Sequence, residues 1–163
     1  MKTKNVRKME MYSNHKIRVY LAGDISKTRW RIKVMEDCVD FAENIEWLSP
    51  IDNISYSYQS LLSAHKKKRV FHTSDKMKVD KADIVFAYIA EGSPSRFSGT
   101  SWELGYAYGR GKHTVIVCDM KPGEACLYEL VRRMADAYYE TLDEGIDHLR
   151  EMAFEMSYLP QEK

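Results

Sequence analysis

The chain alternates between short apolar runs and longer segments of mixed polarity. The apolar runs cover residues 17–23, 45–50, 82–90, 113–120 and 137–140, and they predict five β-strands. The segments between and after them predict helices over residues 30–42, 64–81, 100–110, 124–135 and 142–156. The run Ala82–Ala90 is apolar almost throughout, which indicates a strand buried on both faces of a parallel sheet.

This order of elements predicts the fold class. Strands that alternate with helices form an α/β fold, and five strands with short connections favour a three-layer, flavodoxin-like arrangement around a mainly parallel sheet. Ligands bind such sheets outside the carboxyl ends of the strands. Those ends are predicted at residues 23–26, 50–53, 91–98 and 119–122.

Length and composition narrow the class of protein. The 163 residues predict one domain over 16–157, with a flexible basic arm at 1–15 and a tail at 158–163. A net charge of +1 gives no reason to expect a nucleic-acid or membrane partner, and no apolar run approaches the roughly 20 residues of a membrane span. Three cysteines without a CxxC pair favour a reducing compartment, so we expect a cytoplasmic protein. The histidines show no metal-ligand spacing.

The most informative stretch, residues 97–117, reads FSGTSWELGYAYGRGKHTVIV and contains one acid, Glu103. The segment Thr100–Glu103 matches a capping box, in which the glutamate accepts a hydrogen bond from the N-cap amide. The other reading is catalytic. A carboxylate at a helix N-terminus beside the ligand edge of the sheet can stay ionised and act as a nucleophile in glycosyl transfer.

Three further acids precede the third predicted strand. Asp75 and Asp83 are eight residues apart, about two helical turns, so both side chains are expected on one face. Asp83 directly precedes the strand and could also hydrogen-bond nearby backbone, whereas Asp80 has the setting of a solvent-facing charge. Asp75 is therefore the acid expected near the ligand edge.

Three motifs together resemble one enzyme family. VYLAG at residues 19–23, the D-x7-D before an apolar strand, and GTSWELGYAYGRGKHTVIV from Gly99 occur in the order typical of the nucleoside 2-deoxyribosyltransferases. Related enzymes are the nucleoside 5'-monophosphate N-glycosidases. The resemblance extends from about Ile17 to Leu149.

The resemblance implies roles for individual residues. Glu103 falls on the nucleophilic glutamate, Asp75 on the acid that assists proton transfer at the nucleobase, and Tyr20 on the tyrosine that orients the nucleophile. Tyr20 could instead be a strand tyrosine packed in the core. The implied reaction proceeds through a covalent glutamyl-deoxyribosyl intermediate and uses no metal or cofactor. The positions expected to contact substrate are Gly23, Asp24, Ile25, Asp52, Asn53, Ser95, Phe97, Ser98, Gly99 and Asp136.

The same resemblance leaves the reaction open between three readings. Phe97 stands six residues before Glu103, where many transferases have an aspartate that holds the sugar hydroxyls. Loss of that negative charge, with serines and basic residues in the neighbouring loops, would suit a 5'-phosphate and hence a hydrolase that releases free base. A non-catalytic nucleotide-binding module is the third reading. The transferase is the favoured one.

The resemblance also bears on assembly. Members of the family are homo-oligomers in which a neighbouring subunit completes the active site. The segment from Met134 to Tyr138 is where such a contact is expected, with Asp136 as the candidate residue. The expected partners are thus a small nucleoside or nucleotide, a nucleobase and further copies of the chain.

Overall fold

The computed structural model describes residues 16–24, 27, 29–49, 68–90, 98–120 and 132–156, with the backbone alone described at 68–73, 98 and 156. The strands are β1 (Ile17–Gly23), β2 (Ile45–Leu48), β3 (Ile84–Ala90), β4 (His113–Asp119) and β5 (Ala137–Tyr139). The helices are α1 (Arg29–Asp37), α2 (Lys68–Lys81), α3 (Ser98–Gly109) and α4 (Leu142–Met156).

The five strands form one sheet in the order β2-β1-β3-β4-β5, and every neighbouring pair is parallel. This order confirms the predicted α/β fold of flavodoxin type. The central strand β3 is buried on both faces, as its apolar run predicted. Because every pair is parallel, the carboxyl ends of the strands share one edge of the sheet.

Two apolar layers hold the helices against the sheet. On one face, Val79 of α2 and Leu104 of α3 pack against inward side chains of β1, β3 and β4, including Tyr20. On the other face, Val34 of α1 and Leu149 of α4 pack against the alternate residues of the same strands. The side chain of Tyr20 therefore points towards α2 and α3.

The start of α4 shows two local devices that fix it on the sheet. Thr141 and Glu144 form a capping box, in which the Glu144 carboxylate accepts from the Thr141 amide at 3.1 Å and the Thr141 hydroxyl accepts from the Glu144 amide at 3.3 Å. Gly145 then lets the helix approach β4 closely. A Cβ at Gly145 would lie 2.3 Å from Val117 Cγ2 and 3.0 Å from Phe86 Cζ.

Several predicted helices have different bounds in the structure, including the helix expected over 100–110, which spans Ser98–Gly109. The helix expected over residues 30–42 ends at Asp37, because Cys38 leaves helical geometry (φ −100°, ψ 14°) and a 3-10 turn follows at Val39–Phe41. The helix expected over 124–135 lies mostly outside the described residues, and it has ended by Arg133. No described helix is long and apolar enough to cross a membrane.

Candidate active site

The centre of the candidate site is a hydrogen bond between β1 and α3. The Tyr20 hydroxyl donates to Glu103 Oε1 at 2.6 Å, and both residues are buried. Alternation along β1 directs Tyr20 to the face that α3 covers, and Glu103 lies one residue before the core position Leu104. Tyr20 is thus a core residue and a hydrogen-bond donor to the acid at once.

The capping-box interpretation of Glu103 is wrong. Helix α3 begins at Ser98, two residues before Thr100, so Thr100 lies inside the helix and Glu103 lies beyond its first turn. The Glu103 carboxylate contacts Tyr20 across the sheet–helix interface instead of the helix N-terminus. The T-x-x-E pattern occurs twice in the chain, and only Thr141–Glu144 uses it as a cap.

Burial decides the ionisation of Glu103. Loss of solvent raises the pKa of its carboxyl from 4.5 to about 7. The hydrogen bond from Tyr20 opposes this rise, the negative charge of Asp75 adds to it, and the positive charge of Arg31 opposes it. The pKa of the Tyr20 phenol is raised far above its usual value, mainly by burial and then by Glu103, so Tyr20 stays a donor. At neutral pH, Glu103 is therefore poised between its two protonation states.

The two aspartates of the D-x7-D motif have different surroundings. Asp75 is half-buried on α2, with Oδ1 shielded from solvent, and it interacts electrostatically with Glu103 and Tyr20. Asp83 follows the end of α2 and accepts hydrogen bonds from the Arg18 amide (2.9 Å) and guanidinium (2.7 Å) at the amino end of β1. The expectation that both acids share one face is wrong, because α2 ends at Lys81. The expected backbone contact of Asp83 is confirmed.

The remaining acid of this segment, Asp80, lies apart from the site. Its carboxylate accepts a hydrogen bond from the Tyr106 hydroxyl at 2.7 Å and forms ion pairs with Lys76 and Arg110. These contacts join the outer surfaces of α2 and α3. The charge is partly solvent-facing, as the sequence indicated, and it also ties the two helices together.

A buried arginine, Arg31, belongs to the site and was missed from the sequence. Its guanidinium donates to the carbonyl oxygens of Leu21 (3.3 Å), Gly23 (2.9 Å) and Asp24 (3.1 Å) at the carboxyl end of β1. Burial lowers its pKa to about 10, against the opposing effect of Tyr20, Glu103, Asp24 and Asp75, so it remains charged at neutral pH.

Close packing explains why a glycine, Gly23, stands at the end of β1. A Cβ at Gly23 would lie 2.7 Å from Cζ2 of Trp30 and 2.9 Å from the carbonyl oxygen of Tyr88, and its φ of 155° disfavours other residues. The close approach at Gly23 is therefore to Trp30 and β3. Asp24 follows at the ligand edge and acts electrostatically on Arg31.

The structure brings some of the other predicted substrate residues to this edge. Ser98 and Gly99 form the first turn of α3, and a Cβ at Gly99 would meet no described atom within 4 Å. Asp136 directly precedes β5, and its carboxylate accepts from the amide (2.7 Å) and hydroxyl (3.0 Å) of Thr114 in β4. Thr114 pairs in register with Val85, and Val85 with Tyr20, so the contact of Asp136 lies two strands across the sheet from Tyr20. The other predicted positions lie outside the described residues: Ile25, Asp52, Asn53, Ser95 and Phe97.

The candidate site contains two carboxyl groups, a phenol and a guanidinium. In the part of the chain that the structure describes, no group of three His, Cys, Asp or Glu side chains is arranged to hold a metal ion. A buried glutamate held by a phenol beside a second carboxyl can attack an electrophilic carbon while a proton is delivered to the departing group.

Comparison with known proteins identifies similar folds and a family. Residues 16–121 match the model of the family described as nucleoside 2-deoxyribosyltransferase like. No curated protein matches the chain in sequence.

Three solved structures share the fold at low sequence identity. A 2-deoxyribosyltransferase from Bacillus psychrosaccharolyticus is 18% identical with a TM-score of 0.59, over 90% of this chain and 99% of that one. A conserved protein from Enterococcus faecalis V583 is 15% identical with a TM-score of 0.54, over 84% and 99% of the two chains. The CMP N-glycosidase of Clostridium botulinum is 17% identical with a TM-score of 0.52, over 81% and 97%.

Proposed function

Because the chain belongs to the nucleoside 2-deoxyribosyltransferase-like family, we propose that it transfers 2-deoxyribose from a deoxyribonucleoside to another nucleobase, with Glu103 as nucleophile. The family supports an enzyme of the N-glycosyl transferase or N-glycoside hydrolase kind. The observation that carries the assignment to Glu103 is the buried 2.6 Å hydrogen bond from Tyr20 to its carboxylate. That bond fixes one oxygen and leaves the other for attack.

The first half-reaction needs one ionised and one protonated acid. The proposal places the negative charge on Glu103, whose ionised form is favoured by the hydrogen bond from the Tyr20 hydroxyl, and assigns the proton for the leaving base to Asp75. Glu103 attacks C1' of the sugar, the C1'–N bond breaks, and the base leaves with the proton from Asp75. The product is a glutamyl ester of deoxyribose.

The second half-reaction reverses these roles. A nitrogen of the incoming base attacks C1', the ester C–O bond breaks, and Glu103 regains its negative charge. Asp75 accepts the proton that the incoming base loses. Two displacements at one carbon retain the configuration of the nucleoside.

The second candidate is a nucleoside 5'-monophosphate N-glycosidase, in which water attacks the ester. The specific observation in its favour is Phe97, which leaves the position of the sugar-holding aspartate uncharged. A carboxylate there would repel a 5'-phosphate, whereas a phenyl ring does not. The similarity in fold to a CMP N-glycosidase is compatible with this reading.

A product assay by liquid chromatography separates these candidates. In one arm the purified protein receives a purine or pyrimidine deoxyribonucleoside with an excess of a second base. In the other arm it receives deoxyribonucleoside 5'-monophosphates in water alone. If the protein is a transferase, a new nucleoside should form in the first arm. If free base is released, and only from the monophosphates, the transferase assignment is wrong and the protein is a hydrolase.

Matched variants make this assay specific to the site. Glu103→Gln keeps the size and hydrogen-bonding capacity of the side chain and removes its nucleophilic charge, and it is expected to abolish both reactions. Glu155→Gln is the same change at an exposed position on α4 and should retain activity. Nucleotide binding without turnover in both the wild type and Glu103→Gln would instead indicate a binding module.

A further inference from the structure

We propose that Arg31 is the positioning residue of this site: its guanidinium holds the carboxyl end of β1 in place and supplies a buried positive charge that acts on Glu103. The inference rests on the proposed function only in taking Glu103 as the reacting acid. Its first basis is geometric. A parallel strand that ends at the sheet edge leaves carbonyl oxygens that need donors, and one guanidinium satisfies those of Leu21, Gly23 and Asp24.

The surroundings of Arg31 keep its guanidinium in this position. The Arg31 side chain is 3% exposed, and its Cζ lies 4.4 Å from the centre of the Trp30 ring. Trp30 itself packs against Tyr88 of β3, with ring centres 5.3 Å apart. The guanidinium is thus fixed between a ring and a strand end, one residue along β1 from Tyr20. Any shift of this strand end would move the hydroxyl that holds Glu103.

The second basis is the balance of charges around Glu103. The groups that act on it are Tyr20 from β1, Asp75 from α2 and Arg31 from α1, and Asp24 acts in turn on Arg31. Within the described ranges, Arg31 is the only buried lysine or arginine. Asp75 disfavours a negative charge on Glu103, and Arg31 is the cation that opposes this effect.

The two contributions of Arg31 can be separated by substitution. A lysine retains the charge but has a single ammonium group, which cannot match the planar fork that reaches three carbonyl oxygens. A methionine has a similar length and supplies neither charge nor donors. Arg31→Lys therefore tests the hold on β1, and Arg31→Met tests the charge as well.

The first experiment is the pH dependence of kcat/KM for the wild type and both variants. Arg31→Met should move the acid limb to higher pH by about one unit, because it removes a buried positive charge that favours ionised Glu103. Arg31→Lys should leave the limb in place and lower kcat/KM by about tenfold or more. Arg150→Met, the same change on α4, is the control and should alter neither quantity. An unmoved limb in a folded Arg31→Met, or wild-type kcat/KM in Arg31→Lys, would overturn the proposal.

A second measurement needs no activity, so it separates this proposal from the proposed function. The change in unfolding free energy caused by Glu103→Gln is measured at several pH values in the Arg31 and Arg31→Met backgrounds. The effect of Glu103→Gln on the unfolding free energy depends on pH, and the midpoint of that dependence should lie at higher pH in the Arg31→Met background. An unchanged midpoint would contradict the proposal. If Arg31→Met does not fold, the same comparison is made in the Arg31→Lys background, which keeps the charge: the midpoint should stay at its wild-type value, and a shifted midpoint would overturn the proposal.

Discussion

The raised pKa of Glu103 predicts that the site destabilises the folded protein as pH rises. The carboxyl titrates at about 7 in the folded chain and at 4.5 as a free side chain. Below pH 4.5 it is protonated in both states and has no effect. Between pH 4.5 and 7 the folded state binds the extra proton, so each unit of pH removes stability from the wild type. Glu103→Gln does not titrate and escapes this loss.

The magnitude follows from the two pKa values. Keeping Glu103 in its buried position costs about 1 kcal/mol at pH 5 and about 3 kcal/mol at pH 8. The wild type should therefore lose about 2–3 kcal/mol relative to Glu103→Gln between these pH values. At about 2–4 °C per kcal/mol for a chain of this size, the melting temperatures should diverge by about 5–10 °C.

The assay is urea denaturation of the wild type and Glu103→Gln at pH 5 and pH 8. The double difference is the change in the unfolding free energy of the wild type between the two pH values minus the same change for Glu103→Gln. Glu155→Gln, which removes an exposed carboxyl from the same fold, sets the baseline for general charge effects. A double difference near zero would refute the reasoning, because it would mean that burial does not perturb Glu103. A double difference of opposite sign would mean that the site stabilises the carboxylate.

Three other substitutions test separate parts of the structure. Tyr20→Phe removes the hydrogen bond that lowers the pKa of Glu103, so the acid limb of kcat/KM should move up by about one pH unit. Gly145→Ala places a methyl group 2.3 Å from Val117 Cγ2 and should cost about 1–3 kcal/mol in urea denaturation. Thr141→Ala removes the cap of α4 and should cost about 1 kcal/mol in thermal unfolding.

Each of these predictions has a control and a contradicting result. Gly105→Ala on α3 adds the same methyl group where no described atom lies within 4 Å, and equal stability of the two alanine variants would contradict the packing argument. Thr141→Ser keeps the hydroxyl, so it should keep the cap, and a loss equal to that of alanine would exclude capping as the cause. An acid limb that stays in place in Tyr20→Phe would show that the phenol does not control Glu103.

The fold class was predictable because the strands and helices follow from local patterns. The continuous apolar run of β3 predicted burial on both faces, and the alternation of strands and helices predicted the parallel sheet. The failures are also local in origin. The early end of α1 at Asp37 depends on the backbone geometry of Cys38, which the apolar spacing does not indicate. The hydrophobic period was enough to predict the fold class, whereas the exact ends of the helices depend on individual backbone dihedral angles.

The site was only partly predictable because its chemistry depends on long-range contacts. The sequence motifs indicated Tyr20 and Glu103, but the bond between them joins residues 83 apart, and burial sets the pKa of the acid. The same separation in sequence explains why the capping-box interpretation failed. The T-x-x-E pattern contains only neighbouring residues, whereas the actual partner of Glu103 is Tyr20, far away in the sequence.

Arg31 was missed although a signal was present. It lies three and seven residues before Val34 and Cys38, which are buried on the inner face of α1 and the turn after it. A charged residue at that spacing should itself be expected inward. Its carbonyl partners could not be foreseen, because they depend on how α1 packs against the end of β1.

The most direct test of the central claim is to trap the glycosyl ester on the protein. The wild type is mixed with a deoxyribonucleoside in the absence of acceptor base, quenched in acid, and analysed by mass spectrometry of the intact chain and its peptides. The account predicts one added deoxyribosyl group on the peptide that contains Glu103, and none in Glu103→Gln. An adduct on another peptide, or release of free base by Glu103→Gln at the wild-type rate, would contradict it.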